Sequence, residues 1–243
     1  MKLLIDLGNT RLKWAIANTL DLADQPPINN TEINPDTLFA AWRNLAPTPE
    51  CLGIACVGSG RLLETVVSVA TTLWPAITIY QAKSAAHCLG VYNSYPEPEK
   101  LGVDRWLSMI AGFNTYRSAL CIVGCGTAIT LDRLDSSGKH LGGLICPGLR
   151  LMRHALADGT ENLKSVSRNF PFELANFTDA AIYNGALAAA CGLIEHTLKH
   201  QTEELQLLLT GGDAGIIAAQ LDRSALIEPN LVLRGLALSI QNP

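Results

Sequence analysis

A loop of one design occurs twice in this chain, about half a chain apart. The first copy, Asp6-Leu7-Gly8-Asn9-Thr10, lies between the apolar runs Leu3-Leu4-Ile5 and Leu12-Lys13-Trp14-Ala15-Ile16. The second, Gly124-Cys125-Gly126-Thr127-Ala128, lies between Leu120-Cys121-Ile122-Val123 and Ile129-Thr130-Leu131-Asp132. Both patterns predict a strand, a glycine-containing turn with a threonine, and a second strand. Gly-Asn between strand-like runs is a hairpin signal, and Gly lets backbone approach a ligand closely. Successive N–H groups in such a turn form an anion-binding concavity, to which a Thr hydroxyl adds a donor. One copy alone reads as an ordinary hairpin with Asp6 and Thr10 as turn formers. The repetition reverses that reading. Two such hairpins facing each other can hold a polyphosphate from both sides, which points to a nucleotide-dependent phosphotransferase.

The first copy also carries charge. A carboxylate at the end of its leading strand would by itself repel phosphate. Asp6 makes sense there as a holder of Mg²⁺, through water, because Mg²⁺ dehydrates reluctantly. Lys13, on the following strand, can reach a phosphate as a point charge.

The bulk properties remove several function classes. With 243 residues, 48% of them hydrophobic and 16% charged, the chain is long and apolar enough for one large or two modest packed domains. The net charge of −4 and the lack of any basic run argue against a nucleic-acid partner. No apolar stretch is long enough to cross a bilayer, and the N-terminus enters a strand pattern without a signal-peptide pattern. The seven cysteines, 51, 56, 88, 121, 125, 146 and 191, contain no C-x-x-C pair. Most sit in apolar runs and read as small buried hydrophobes, so zinc is not expected and a reducing cytoplasm fits. The five histidines lack metal-ligand spacing; His196 and His200, one turn apart near a helix end, read as a solvated face. Trp14, Trp42, Trp74 and Trp106 lie in apolar-periodic segments and read as core or interface.

Along the chain, the hairpin from Lys2 to Asn18 precedes a Pro- and Asn-rich connection. Helices are predicted over Asp36 to Leu45 and Arg61 to Trp74, and strands over Leu52 to Val57 and Ala76 to Tyr80. The polar loop Asn93 to Leu101 leads to Gly102-Val103-Asp104-Arg105, which opens a helix to about Arg117. Strands then run from Ala119 to Ile145. Thr178 reads as the N-cap of a long Ala-rich helix through Lys199, and Gln206 to Leu209 as a strand entering Thr210-Gly211-Gly212-Asp213. A boundary near Tyr116 divides the chain into domains 1–116 and 117–243.

Five of these segments, in order, resemble the motifs of the type III pantothenate kinases. Asp6-x-Gly8-Asn9-Thr10-x-x-Lys13 resembles the first phosphate motif, and Gly102-Val103-Asp104-Arg105 the pantothenate and catalytic motif. Gly126-Thr127-Ala128 with Asp132 resembles the second phosphate motif. Gly143 through Gly148 and Thr210-Gly211-Gly212-Asp213 resemble the further glycine-rich segments. The resemblance spans nearly the whole chain. It implies an α/β fold of duplicated ribonuclease H-like (actin-like ATPase) domains with a nucleotide cleft between them. It implies ATP-dependent phosphorylation of pantothenate, the first step of coenzyme A biosynthesis, by a cytoplasmic homodimer using Mg²⁺. The ATP contacts would be Asp6, Leu7, Gly8, Asn9, Thr10, Arg11, Leu12, Lys13 and Thr127. The pantothenate contacts would be Tyr95, Gly102, Val103, Asp104, Arg105 and Thr178, with Asp104 as catalytic base. The chain departs from the family at Gly124, where an acidic residue usually binds a monovalent cation. K⁺ or NH₄⁺ is expected from the family, and Gly124 counts against it.

The residues support that chemistry in their own right. Phosphoryl transfer depends on positioning and charge neutralisation more than on covalent chemistry. Asp104 can orient a primary hydroxyl and accept its proton. Its plainer role is that of a helix N-terminal acid paired with Arg105. Arg105 can hold a carboxylate or a phosphoryl oxygen through its fork, and Tyr95 can line a pocket with its ring. Thr178 at a helix N-terminus suits a substrate carboxylate. Two other readings stay open: a same-fold kinase for another small hydroxyl compound, such as a sugar, and a non-catalytic nucleotide-binding regulator.

Overall fold

The computed structural model describes residues 1–18, 21–161, 163, 168–199, 201 and 204–241. They form two compact units, Met1–Tyr116 with Asn230–Pro243, and Arg117–Pro229. His200 lies outside the described residues.

The first unit is built on β1 (Lys2–Leu7), β2 (Arg11–Asn18), β3 (Asp21–Asp24), β4 (Ile28–Asn29), β5 (Cys51–Cys56) and β6 (Thr78–Gln81). The sheet order is β3-β2-β1-β5-β6, with β4 pairing β2. β1 runs antiparallel to β2 and parallel to β5. Leu3, Leu4, Ile5 and Leu7 are all fully buried, which explains why β1 is a continuous apolar run and does not alternate. Helices α1 (Pro35–Trp42) and α2 (Gly60–Leu73) cover one face. Asn34 caps α1 by accepting the Thr37 N–H, with Pro35 at the first helical position. Trp42 meets Trp14 edge-on and stacks on Trp74, with ring centroids 6.2 and 6.4 Å apart. A small hairpin, β7 (His87–Cys88) and β8 (Val91–Tyr92), precedes α3 (Val103–Tyr116).

The second unit repeats the plan. Its strands are β9 (Leu120–Cys125), β10 (Ala128–Leu134), β11 (His140–Pro147), β12 (Gln206–Thr210) and β13 (Leu226–Ile227), ordered β11-β10-β9-β12-β13. The central strand again pairs antiparallel with the next strand in sequence and parallel with a later one. Both sheets therefore share one order in space, the mark of a duplicated α/β domain. Helices α4 (Leu149–Gly159), α5 (Thr178–Leu198) and α6 (Ala214–Ala218) complete the unit, and α5 supplies Tyr183, Leu187, Ala190 and Ile194 to its core.

Three expectations change. The range 117–243 divides, because α7 (Leu231–Gln241) packs on α3, β1 and β5 of the first unit. Gly235 makes that possible: any Cβ there would run into the Leu107 carbonyl. Thr178 is not the N-cap of α5. Phe177 holds that position in extended conformation, no side chain caps the end, and Thr178 is the first helical residue. Only Cys121, Cys125 and Cys191 are buried, the other four cysteines being half-buried, because their strands or hairpins leave one side open.

Candidate active site

In the first unit the β1–β2 hairpin sets Asp6 directly opposite Lys13. The turn is closed by the Gly8 N–H donating to the Arg11 carbonyl at 3.2 Å. Leu7 and Leu12 are fully buried and frame the turn from beneath, whereas Asn9 and Arg11 are exposed. Asp6 is half-buried, and its carboxyl is pushed up to about 6. Burial is the main cause; Lys13 pulls it down and Asp104 pushes it up. Asp6, Lys13 and Asp104 thus share one electrostatic neighbourhood. Two carboxylates sharing one lysine leave room for added positive charge, a setting that fits Mg²⁺.

Asp104 lies in the first turn of α3. Its Oδ1 accepts the Arg105 N–H at 2.9 Å, the local role expected of a helix N-terminal acid. A Cβ on Gly102 would lie 2.7 Å from that oxygen, so the glycine keeps space for the carboxylate. The Arg105 side chain, 6% exposed, donates from Nη1 to the Tyr95 hydroxyl at 3.0 Å. Tyr95 is itself placed by Asn93. The Tyr95 N–H donates to Asn93 Oδ1, while Asn93 Nδ2 donates to the Ala85 and Pro98 carbonyls.

In the second unit three backbone hydrogen bonds secure the turn between β9 and β10. The Gly126 N–H donates to the Ala128 carbonyl, Gly148 N–H to the Thr127 carbonyl, and Asp213 N–H to the Cys125 carbonyl, at 3.1, 2.9 and 3.1 Å. Gly148 and Gly211 approach the loop so closely that a Cβ on either would strike its backbone, and Gly211 also has φ +101°. Gly124 faces Thr130, whose Oγ1 would lie 2.6 Å from a Cβ at position 124. The hydroxyl thus fills the space where a longer side chain would begin. Asp132 is paired with His140 at 3.0 Å, both buried, so that acid serves the interior of the sheet. Thr178 is exposed at the start of α5.

Three residues with a hand in these loops escape a reading of the sequence. Asn93 sits in a loop already recognised as polar. Asn30 donates its Nδ2–H to the Gly8 carbonyl across 22 positions, and Gly58 packs against the same carbonyl. Nothing in their local spacing signals this.

Comparison with known proteins agrees with the motifs. The sequence profile of the type III pantothenate kinases matches residues 2–200. A type III pantothenate kinase of Nitrosococcus oceani is 39% identical, covering 98% of this chain and 92% of its own. One from Dichelobacter nodosus is 34% identical, covering 100% and 99%. Among solved structures, a Baf family protein of Campylobacter jejuni superposes with a TM-score of 0.61 at 21% identity, over 98% and 97% of the two chains. The activator of the 2-hydroxyisocaproyl-CoA dehydratase from Clostridium difficile, with ADPNP bound, gives 0.54 at 13% identity, over 98% and 93%. These structures speak to the fold, which is that of the actin-like ATPases.

Proposed function

The chain belongs to the type III pantothenate kinase family, and we propose on that premise that it transfers the terminal phosphoryl group of ATP to pantothenate. The single observation that carries this reading furthest is the neighbourhood of Asp6, Lys13 and Asp104 in one unit. It supplies a metal holder, a phosphate partner and a base together. Asp104 orients the pantothenate hydroxyl and takes its proton as the phosphoryl group is transferred. Tyr95 and Arg105, hydrogen-bonded to each other, position the rest of the acceptor, with Gly102, Val103 and Thr178. The turn from Asp6 to Lys13 in the first unit and Thr127 in the second are the ATP contacts. Asp6 holds Mg²⁺ through water, and the ion's part when bound is to neutralise phosphate charge.

Two finer features belong to the same proposal. The chain is a homodimer of the cytoplasm. The exposed face of α5, with Ala181, Gly185, Ala188, Ala189 and Gly192, supports close packing of a second copy. No helix among the described residues is long and apolar enough to cross a membrane. A monovalent cation is not required, because Gly124 offers no carboxylate and Thr130 occupies the space beside it.

ADP release by the purified protein with Mg²⁺-ATP and pantothenate, with and without K⁺ or NH₄⁺, tests the reading. Pantothenate-dependent release, equal in both conditions, is expected. Release with another hydroxyl compound but not with pantothenate would overturn the acceptor. Nucleotide binding without any release would overturn the catalytic role.

A further inference from the structure

Gly8 is gripped from two sides. On one side Asn30 Nδ2 donates to its carbonyl at 2.9 Å, and the Asn30 backbone N–H donates to the Thr10 carbonyl, also at 2.9 Å. Asn30 therefore bridges the residues before and after Asn9. On the other side lies Gly58, whose N–H donates to the Leu7 carbonyl at 3.1 Å. A Cβ on Gly58 would lie 2.5 Å from the Gly8 oxygen. The bare backbone of Gly58 is what lets the carbonyl stand where Asn30 can reach it.

The direction of one carbonyl decides the direction of the next amide. The Gly8–Asn9 peptide is trans, and in a planar trans peptide C=O and N–H point opposite ways. With the Gly8 carbonyl turned to Asn30, the Asn9 N–H must face away from it. Asn9 lies at the exposed tip of the turn, and an amide turned away from the Asn30 side is a turn donor of the kind that takes anions. A flipped plane would present the carbonyl instead and repel phosphate. Asn30 Oδ1 is buried and accepts no hydrogen bond among the described residues. The amide is thus used here for its donor.

We propose that Asn30 is a positioning residue for nucleotide binding: by holding the Gly8 carbonyl against Gly58, it aims the Asn9 N–H at the phosphates. The proposal rests on the reading of Asp6 to Lys13 as an ATP contact, but not on the identity of the acceptor.

Calorimetric binding of a non-hydrolysable ATP analogue with Mg²⁺ tests it without pantothenate. The proteins are wild type, Asn30→Ala, Asn30→Asp and, as control for the loop, Lys13→Ala. Each is compared with wild type at the same pH. Asn30→Ala is expected to bind about tenfold more weakly at any pH, the loss of one buried donor. Asn30→Asp puts a carboxylate against the Gly8 carbonyl and should bind more weakly still at about pH 8. At about pH 5 its introduced carboxyl, raised by burial, becomes protonated and can donate, so binding should recover toward wild type. A purely structural lesion would not show that reversible recovery within one protein. Lys13→Ala weakened while both Asn30 variants bind within twofold of wild type would overturn the positioning role alone. So would an Asn30→Asp variant equally weak at both pH values. Unchanged binding in all three variants would overturn the loop as an ATP contact, and the role of Asn30 with it.

Discussion

The two glycine loops sit at equivalent places in two sheets of the same strand order, yet they are held and charged differently. The first is set by a side chain reaching across the fold, Asn30, and carries Asp6 and Lys13. The second is set by backbone pressed on backbone at Gly148 and Gly211, and where the first has Asp6 it has Gly124. Duplication thus preserved the turn and let the side chains diverge. The first loop is equipped for charge chemistry, and the second offers N–H groups and a Thr127 hydroxyl on a stiff frame.

That division is broken or sharpened by four substitutions. The largest effect belongs beside the first loop. Asp104→Asn should lower turnover about a hundredfold or more while leaving binding of an ATP analogue unchanged; steady-state kinetics with calorimetry would show it, and wild-type turnover would remove Asp104 as base. In the second loop the damage should be to stability. Gly211→Ala combines a positive φ with a clash against Cys125 and should destabilise by about 2 kcal/mol or more, visible as a lower melting temperature. A full return of the wild-type melting curve would mean that the second loop is less tightly framed than its contacts indicate.

Third in size is an effect of pH on the first loop. The Asp6 carboxyl, with an ordinary value of 3.8, is raised to about 6, so the folded state binds its proton more tightly than the unfolded chain does. The stability this brings is complete below the ordinary value and is lost as pH rises through 6. Nucleotide-free Asp6→Asn should therefore melt above wild type near neutral pH, and the gap should close as pH falls through 6. Its Mg²⁺-ATP binding should nevertheless be weaker. An unchanging gap across that range would remove burial of the charge as the cause. Smallest is Gly124→Asp. Placing an acid in the second loop requires Thr130 to turn aside, and should raise the response of turnover to K⁺ by a few-fold over that of wild type.

Much of the fold is legible in the sequence because its signals are local. The apolar runs on either side of each loop, the turn glycines, and the Leu62, Val66, Val69, Leu73 spacing of α2 are all read within a dozen residues. What the sequence leaves hidden depends on contacts between distant segments. Asn30 looks like one more polar residue in a Pro- and Asn-rich connection until β4 pairs with β2 and brings it to Gly8. Gly58 carries no local signal, and its part is a close approach of two backbones. No local signal ties the C-terminal segment to the first unit, yet α7 packs on α3, β1 and β5. The Thr178 pattern matched an N-cap in composition; the chain enters α5 one residue earlier, in extended conformation at Phe177.

The return of α7 to the first unit has a consequence for how the molecule is made. Residues 117 to 229 fold as an insertion between β1–α3 and the helix that completes their packing. During vectorial synthesis the earlier-made unit must therefore wait, with the α3 surface that receives α7 uncovered, while the later-made one emerges whole. Domains fold as units as they leave the ribosome, so the loop framed by Gly148 and Gly211 is assembled before the core beneath Asp6 and Asp104 is closed.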